Sequence, residues 1–138
     1  MGIFGKSMDD ITLKVAVLIR SKGGILLCKT QNETDPYSVP QGTVQFGETL
    51  EYAAQRVVEE ILHVMPTVVT QYHVYSQITY DDGEHVVLVV FLAELSSAWK
   101  LNEALPLVCV SVDELPQYGT AQKQVLLDYA NETYPQMM

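Results

Sequence analysis

The stretch from Tyr37 to Val64, YSVPQGTVQFGETLEYAAQRVVEEILHV, constrains this chain more than any other. Its first half is crowded with turn residues: Pro40, Gly42 and the Gly47–Glu48 pair. Its second half carries apolar residues at Leu50, Ala53, Ala54, Val57, Val58, Ile61 and Leu62. Steps of three and four put these side chains on one broad helical face. Thr49 suits the N-cap, Glu51 sits favourably in the first turn, and His63 and Pro66 mark the far end. The pattern predicts a helix over 50–62 docked on a core. It is fed by a Gly-rich loop whose backbone can come close to a ligand.

The rest of the chain reads as strands around that helix. Leu13 to Ile19 is strand-like, Ser21 to Gly24 is turn chemistry, and Ile25 to Thr30 returns as a hairpin arm. Beyond Pro66, Val68 to Tyr80 alternates and turns at Asp81-Asp82-Gly83 into His85 to Leu95. The apolar run VVLVVFLA in that return suits a strand covered on both faces. A polar connection over 96–105 precedes a strand over 107–112, and a last helix is expected from Thr120 to Glu132. Strands, helix, strands, helix, with no repeat and no linker, predict an α/β fold with a mixed sheet between helices.

At 138 residues the chain makes one domain over 13–138, with residues 1–12 as an N-terminal arm. A net charge of -9 argues against a nucleic-acid backbone as partner. Arg20 and Arg56 are the only arginines, thin provision for gripping a polyphosphate unless a cation supplies positive charge. Cys28 and Cys109 sit in apolar, strand-like runs without metal-ligand spacing and read as buried free thiols. No run is long enough to span a membrane, and MGIFGKSMDD lacks a signal-peptide core. Lys6 spoils the myristoylation pattern at Gly2. The expectation is a cytoplasmic protein with no membrane partner.

The Tyr37–Val64 stretch resembles the Nudix box, the signature of Nudix pyrophosphohydrolases, written G-x5-E-x7-R-E-U-x-E-E-x-G-U with U a large aliphatic residue. Gly42, Glu48, Arg56, Val58, Glu60 and Val64 fall in register without a gap, and Tyr37-x-x-Pro40 resembles the usual entry. Three positions depart: Val57 and Ile61 replace glutamates, and His63 replaces the glycine. In the family those two glutamates are principal ligands for divalent cations. Residues 57, 60 and 61 share one patch of helix, and of these only Glu60 is a carboxylate. Both replacements are β-branched aliphatics, which predicts a patch packed away from water by a loop, the N-terminal arm or a second copy.

The resemblance implies a Nudix-type α/β/α sandwich that cleaves X-linked nucleoside diphosphates by water attack on phosphorus. It implies Mg2+ or Mn2+ as cofactor, weakly bound here because one carboxylate plus water is a poor shell for a hard cation. Glu60 and the backbone carbonyl of Gln41 are the expected metal contacts, with an ion pair to Arg56 as the alternative role of Glu60. Gly42, Glu48 and Arg56 are expected to lock loop to helix. Glu94 and Glu103 lie outside the box, where some members draw an extra glutamate, and Glu103 is the candidate carried with Glu60 as catalytic. Lys29 could meet a phosphate, and Tyr37 and Phe46 could frame a flat base, against the plainer roles of surface lysine and packing aromatics. Two functions stand: a weakened cation-dependent pyrophosphohydrolase of a nucleotide-like substrate, or a catalytically inactive Nudix-fold module for ligand or protein binding. A small nucleotide-like ligand is the expected partner, with a homodimer as a further expectation.

Overall fold

The computed structural model describes residues 10–118 and 122–137. Strand β1 (Ile11–Ser21) turns into β2 (Gly24–Lys29) through Lys22 and Gly23, both with positive φ. That is the two-residue hairpin geometry whose twist matches the flanking strands. Short strands β3 (Tyr37–Ser38) and β4 (Gln41–Thr43) lead into helix α1 (Leu50–Leu62). The hairpin β5 (Val68–Thr79) and β6 (Glu84–Glu94) follows, then β7 (Leu107–Ser111). A 3-10 turn (Val112–Gln117) precedes helix α2 (Lys123–Met137).

The seven strands form one mixed sheet. β1 and β6 run parallel at its centre, from Ile11 beside His85 to Arg20 beside Glu94, and the other described pairings are antiparallel. Alternation along these two strands divides the core. Val15, Val17, Ile19, Val89 and Phe91 face α1, where Ala53, Ala54, Val57, Val58 and Leu62 are buried against them. Ala16, Leu18, Leu88 and Val90 face the other way, onto Val125, Leu126 and Tyr129 of α2. β6 is therefore covered on both faces, and the architecture is the expected α/β/α sandwich.

Some expectations change. β1 begins at Ile11 rather than Leu13, because its ladder with β6 continues to that residue. β3 and β4 occupy a segment read as turn; Gln41–Thr43 pairs with Lys14–Ala16, a long-range partner that local composition does not reveal. β5 shifts register between Gln71 and Val74. This irregularity turns both Tyr72 and Tyr75 toward the α2 layer. Cys28 is half-buried but Cys109 is exposed, which corrects the expectation of two buried thiols. Among the described residues β7 pairs with β2, and it sends Leu107 into the α1-side core and Val110 into the α2-side core. Most of the expected N-terminal arm, and the expected helix start at Thr120, lie outside the described residues. Among the described residues no helix is long and apolar enough to cross a membrane.

Candidate functional site

The loop before α1 is held by backbone bonds at both ends of β4. Val17 N–H donates to the Pro40 carbonyl at 2.9 Å, and Val44 N–H to the Leu13 carbonyl at 3.0 Å. α1 then starts on Thr49, whose hydroxyl accepts from Tyr52 N–H at 3.1 Å and satisfies one orphan donor of the first turn. At the other end His63 adopts the left-handed conformation, φ 59°, and donates its N–H to the Glu59 carbonyl at 2.8 Å. The backbone stop that a glycine normally supplies is thus kept by a histidine.

Arg56 organises the loop–helix junction. Its Nε donates to Glu48 Oε2 at 2.6 Å, and its Nη2 donates to Glu48 Oε1 at 3.0 Å and to the Thr43 carbonyl at 2.9 Å. Gln45 N–H also donates to Glu48, at 2.8 Å. The hydrogen bonds from Arg56, and then that from Gln45, hold the Glu48 carboxyl below its ordinary pKa, and the same pairing raises that of Arg56. A bidentate fork of this kind fixes geometry as well as charge, so Glu48 and Arg56 fasten the Gly42 loop onto α1. The fourth contact, Nη1 to Glu60 Oε1 at 3.1 Å, involves a carboxylate 63% exposed. Such an i, i+4 pair is worth only about 0.3–0.5 kcal/mol.

Val57 and Ile61 lie beside Glu60 in the helix. Val57 is 2% exposed, and a methyl group placed on Gly42 would come within 3.0 Å of its Cγ2. Ile61 is half-buried against the same α1-side core. Val57 is therefore covered by the chain's own loop and sheet, and Ile61 is covered only in part. Gln41, whose carbonyl is the other expected metal contact, lies on β4 opposite Ala16 and next to Gly42. Among the described residues no three His, Cys, Asp or Glu side chains converge in a metal-holding group. The local donor set, one carboxylate already bonded to Arg56 and one carbonyl, does not fit the six-oxygen shell of Mg2+.

A second group of residues gathers at the open end of β2. Lys29 pairs with Tyr37 across β2 and β3, and the Tyr37 ring meets Tyr118 edge-to-face at 4.9 Å. These tyrosines, with Thr34, Pro36, Glu114 and Gln117, line an open cleft of about 460 Å³. Asp35, between two lining residues, has a buried Oδ1 without a hydrogen-bond partner among the described residues. Glu103 is exposed on the connection over 96–106. Leu101 and Leu105 of that connection pack on the α1-side core, and the Pro106 carbonyl accepts from Lys29 N–H at 2.8 Å. The connection thus ends against the Lys29 end of β2. Phe46 is fully exposed on the box loop and lines no wall of the cleft. Glu94 stands at the far end of β6, paired with Arg20 at 2.9 Å, and does not join the box.

Tyr118, Asp35, Glu114 and Gln117 carry no motif, and only the return of the chain after β7 brings them to Tyr37. The one local signal was an aromatic following Pro116 at the exit of a strand.

The NUDIX domain model matches residues 11–129, nearly the whole of the described chain. The chain belongs to the Nudix family. It is 29% identical over 119 residues to an ADP-ribose pyrophosphatase of Methanocaldococcus jannaschii, covering 81% of this chain and 69% of that one. Among solved structures it is similar to a MutT Nudix hydrolase from Burkholderia pseudomallei, with TM-score 0.70 and 28% identity over 86% of this chain and 97% of that one. The MutT protein from Bacillus halodurans shares the fold at TM-score 0.69 and 16% identity, with 86% and 82% coverage. Nudix hydrolases generally use divalent metal ions, and in this member the box presents Val57, Glu60 and Ile61 where the pattern places three glutamates.

Proposed function

We propose that this chain binds a nucleoside-diphosphate-type ligand in the Tyr37–Tyr118 cleft and has lost efficient cation-dependent hydrolysis, so that it acts as a Nudix-fold ligand-binding module. One observation carries this reading: Val57 is buried against Gly42 while Glu60 is bonded to Arg56, so the box offers no carboxylate cluster for a cation. The scaffold does not depend on those carboxylates, since the Glu48–Arg56 pair and the backbone bonds at both ends of β4 hold the loop. Tyr37 and Tyr118 line the cleft and supply flat apolar surface for a base, and Lys29, paired with Tyr37 across β2 and β3, is the neighbouring cation for phosphate. Cation binding at Glu60 and the Gln41 carbonyl is expected no tighter than millimolar, on the order of 4 kcal/mol. The same reading has a cytoplasmic protein with no nucleic-acid or membrane partner, and leaves a homodimer as the form to test by mass.

A panel of nucleoside diphosphate derivatives, with ADP-ribose first because a relative bears that name, tests it. Calorimetry should find saturable binding without metal, and formation of the nucleoside monophosphate (AMP from ADP-ribose) with Mg2+ or Mn2+ should fall far below the roughly 1–10³ s⁻¹ of ordinary enzymes. Exposed Glu60 and Glu103 favour a second reading, a weakened pyrophosphohydrolase with these as catalytic residues. Metal-dependent turnover abolished by Glu60→Gln would select the second reading over the first.

A further inference from the structure

We propose that the cavity at the carboxyl ends of β1 and β6 is a second small-molecule site, one that takes a small organic anion with a flat apolar body. The cavity measures about 380 Å³, within the range of roughly 300–1,000 Å³ typical of ligand clefts. It opens beyond the carboxyl ends of the parallel strand pair, the position where α/β sheets commonly bind ligands. The box loop meets β1 at Lys14–Ala16, so the cavity lies at least four residues, about 13 Å, further along the strand.

Its lining concentrates what the rest of the chain lacks. Arg20 and Lys22 line it, two of only eight lysines and arginines in a chain of net charge -9. Glu94 is the one carboxylate among the lining residues, and it occupies only Nη2 of Arg20. Two cations and one carboxylate leave one positive charge for a ligand to neutralise. Trp99, the single tryptophan, supplies an aromatic wall, and Ser96 and Tyr129 supply further polar and ring surface. Lys22 also sits where a lysine is unexpected. The first position of this two-residue turn has φ 48°, a conformation that favours Gly, Asn or Asp. A lysine held at positive φ on the wall of a cavity points to a role for its side chain.

Trp99 emission reports on the cavity directly. The full chain is titrated with phenyl phosphate, with phenylacetate and with neutral benzyl alcohol. Saturable change is expected with at least one of the anions and a weaker response with the alcohol. Lys22→Asn removes the charge while suiting the turn, and should weaken anion binding about tenfold with no fall in melting temperature. Lys22→Gly serves as a second charge-free variant that also accepts the turn geometry. The Tyr37→Ala variant, altered in the other cleft, should titrate as the parent does. No saturable change with either anion overturns the proposal. So does an equal titration in both Lys22 variants, an equal response to the alcohol, or loss of the titration in Tyr37→Ala.

Discussion

Replacing Val57 by glutamate restores one carboxylate of the box, and its consequences can be worked from the packing. Val57 is 2% exposed, with Gly42 directly against its Cγ2. Removing a buried valine forfeits about 1.5–3 kcal/mol of apolar burial. The longer, charged side chain must then either desolvate or push the Gly42 loop aside, adding about 1–3 kcal/mol. A net loss of about 3–4 kcal/mol corresponds to a melting temperature lower by about 10 °C in a domain of this size. The variant also puts carboxylates at positions 57 and 60 near the Gln41 carbonyl. A cation at ten times its dissociation constant would return about 1.4 kcal/mol, or roughly 4 °C. Thermal melts of the parent, Val57→Glu and Val57→Gln, each with and without about 10 mM Mn2+, separate packing from coordination. Val57→Gln should melt low and gain nothing from the metal. A Val57→Glu melt within about 2 °C of the parent would refute the packing argument. Equal recovery in the glutamine variant would refute coordination.

Three further outcomes are expected. Because the folded-state pKa of Glu48 is lowered, its contribution is present above the ordinary carboxylate pKa, about 4.3, and is lost as pH falls through the folded value. The melting-temperature gap between the parent and Glu48→Gln should therefore be flat from neutral pH to about 5 and close at lower pH; a gap unchanged at low pH would contradict the charged lock. Gly24→Ala places a Cβ 2.6 Å from the Val110 carbonyl oxygen, so β2 and β7 must separate, at a cost of about 1–3 kcal/mol read by urea denaturation. Tyr118→Ala should weaken binding of the cleft ligand about tenfold in calorimetry, the scale of one lost aromatic stacking contact, and leave the fold intact.

The loop–helix stretch was legible because its signals are local. Apolar spacing sets the face of α1, and Thr49 caps it through a bond three residues away. The register of Glu48 with Arg56 likewise placed two groups close enough to pair once the helix formed. The fold class followed, since the run from Val86 to Ala93 needs cover on both faces and two helical patterns were available to give it. The absence of carboxylates at positions 57 and 61 was plain from the chain alone.

What packs at those positions was decided by the tertiary structure. Only pairing of β4 with β1 brings Gly42 onto Val57, and only the path after β7 carries Tyr118 to Tyr37. Arg20 and Glu94 look unrelated in sequence, yet a parallel ladder sets them side by side at the mouth of a cavity. Spacing along a chain fixes neighbours within a helix or hairpin, because bond geometry alone dictates them. Neighbours across a sheet depend on which strands find each other, and that choice belongs to the burial of the whole core.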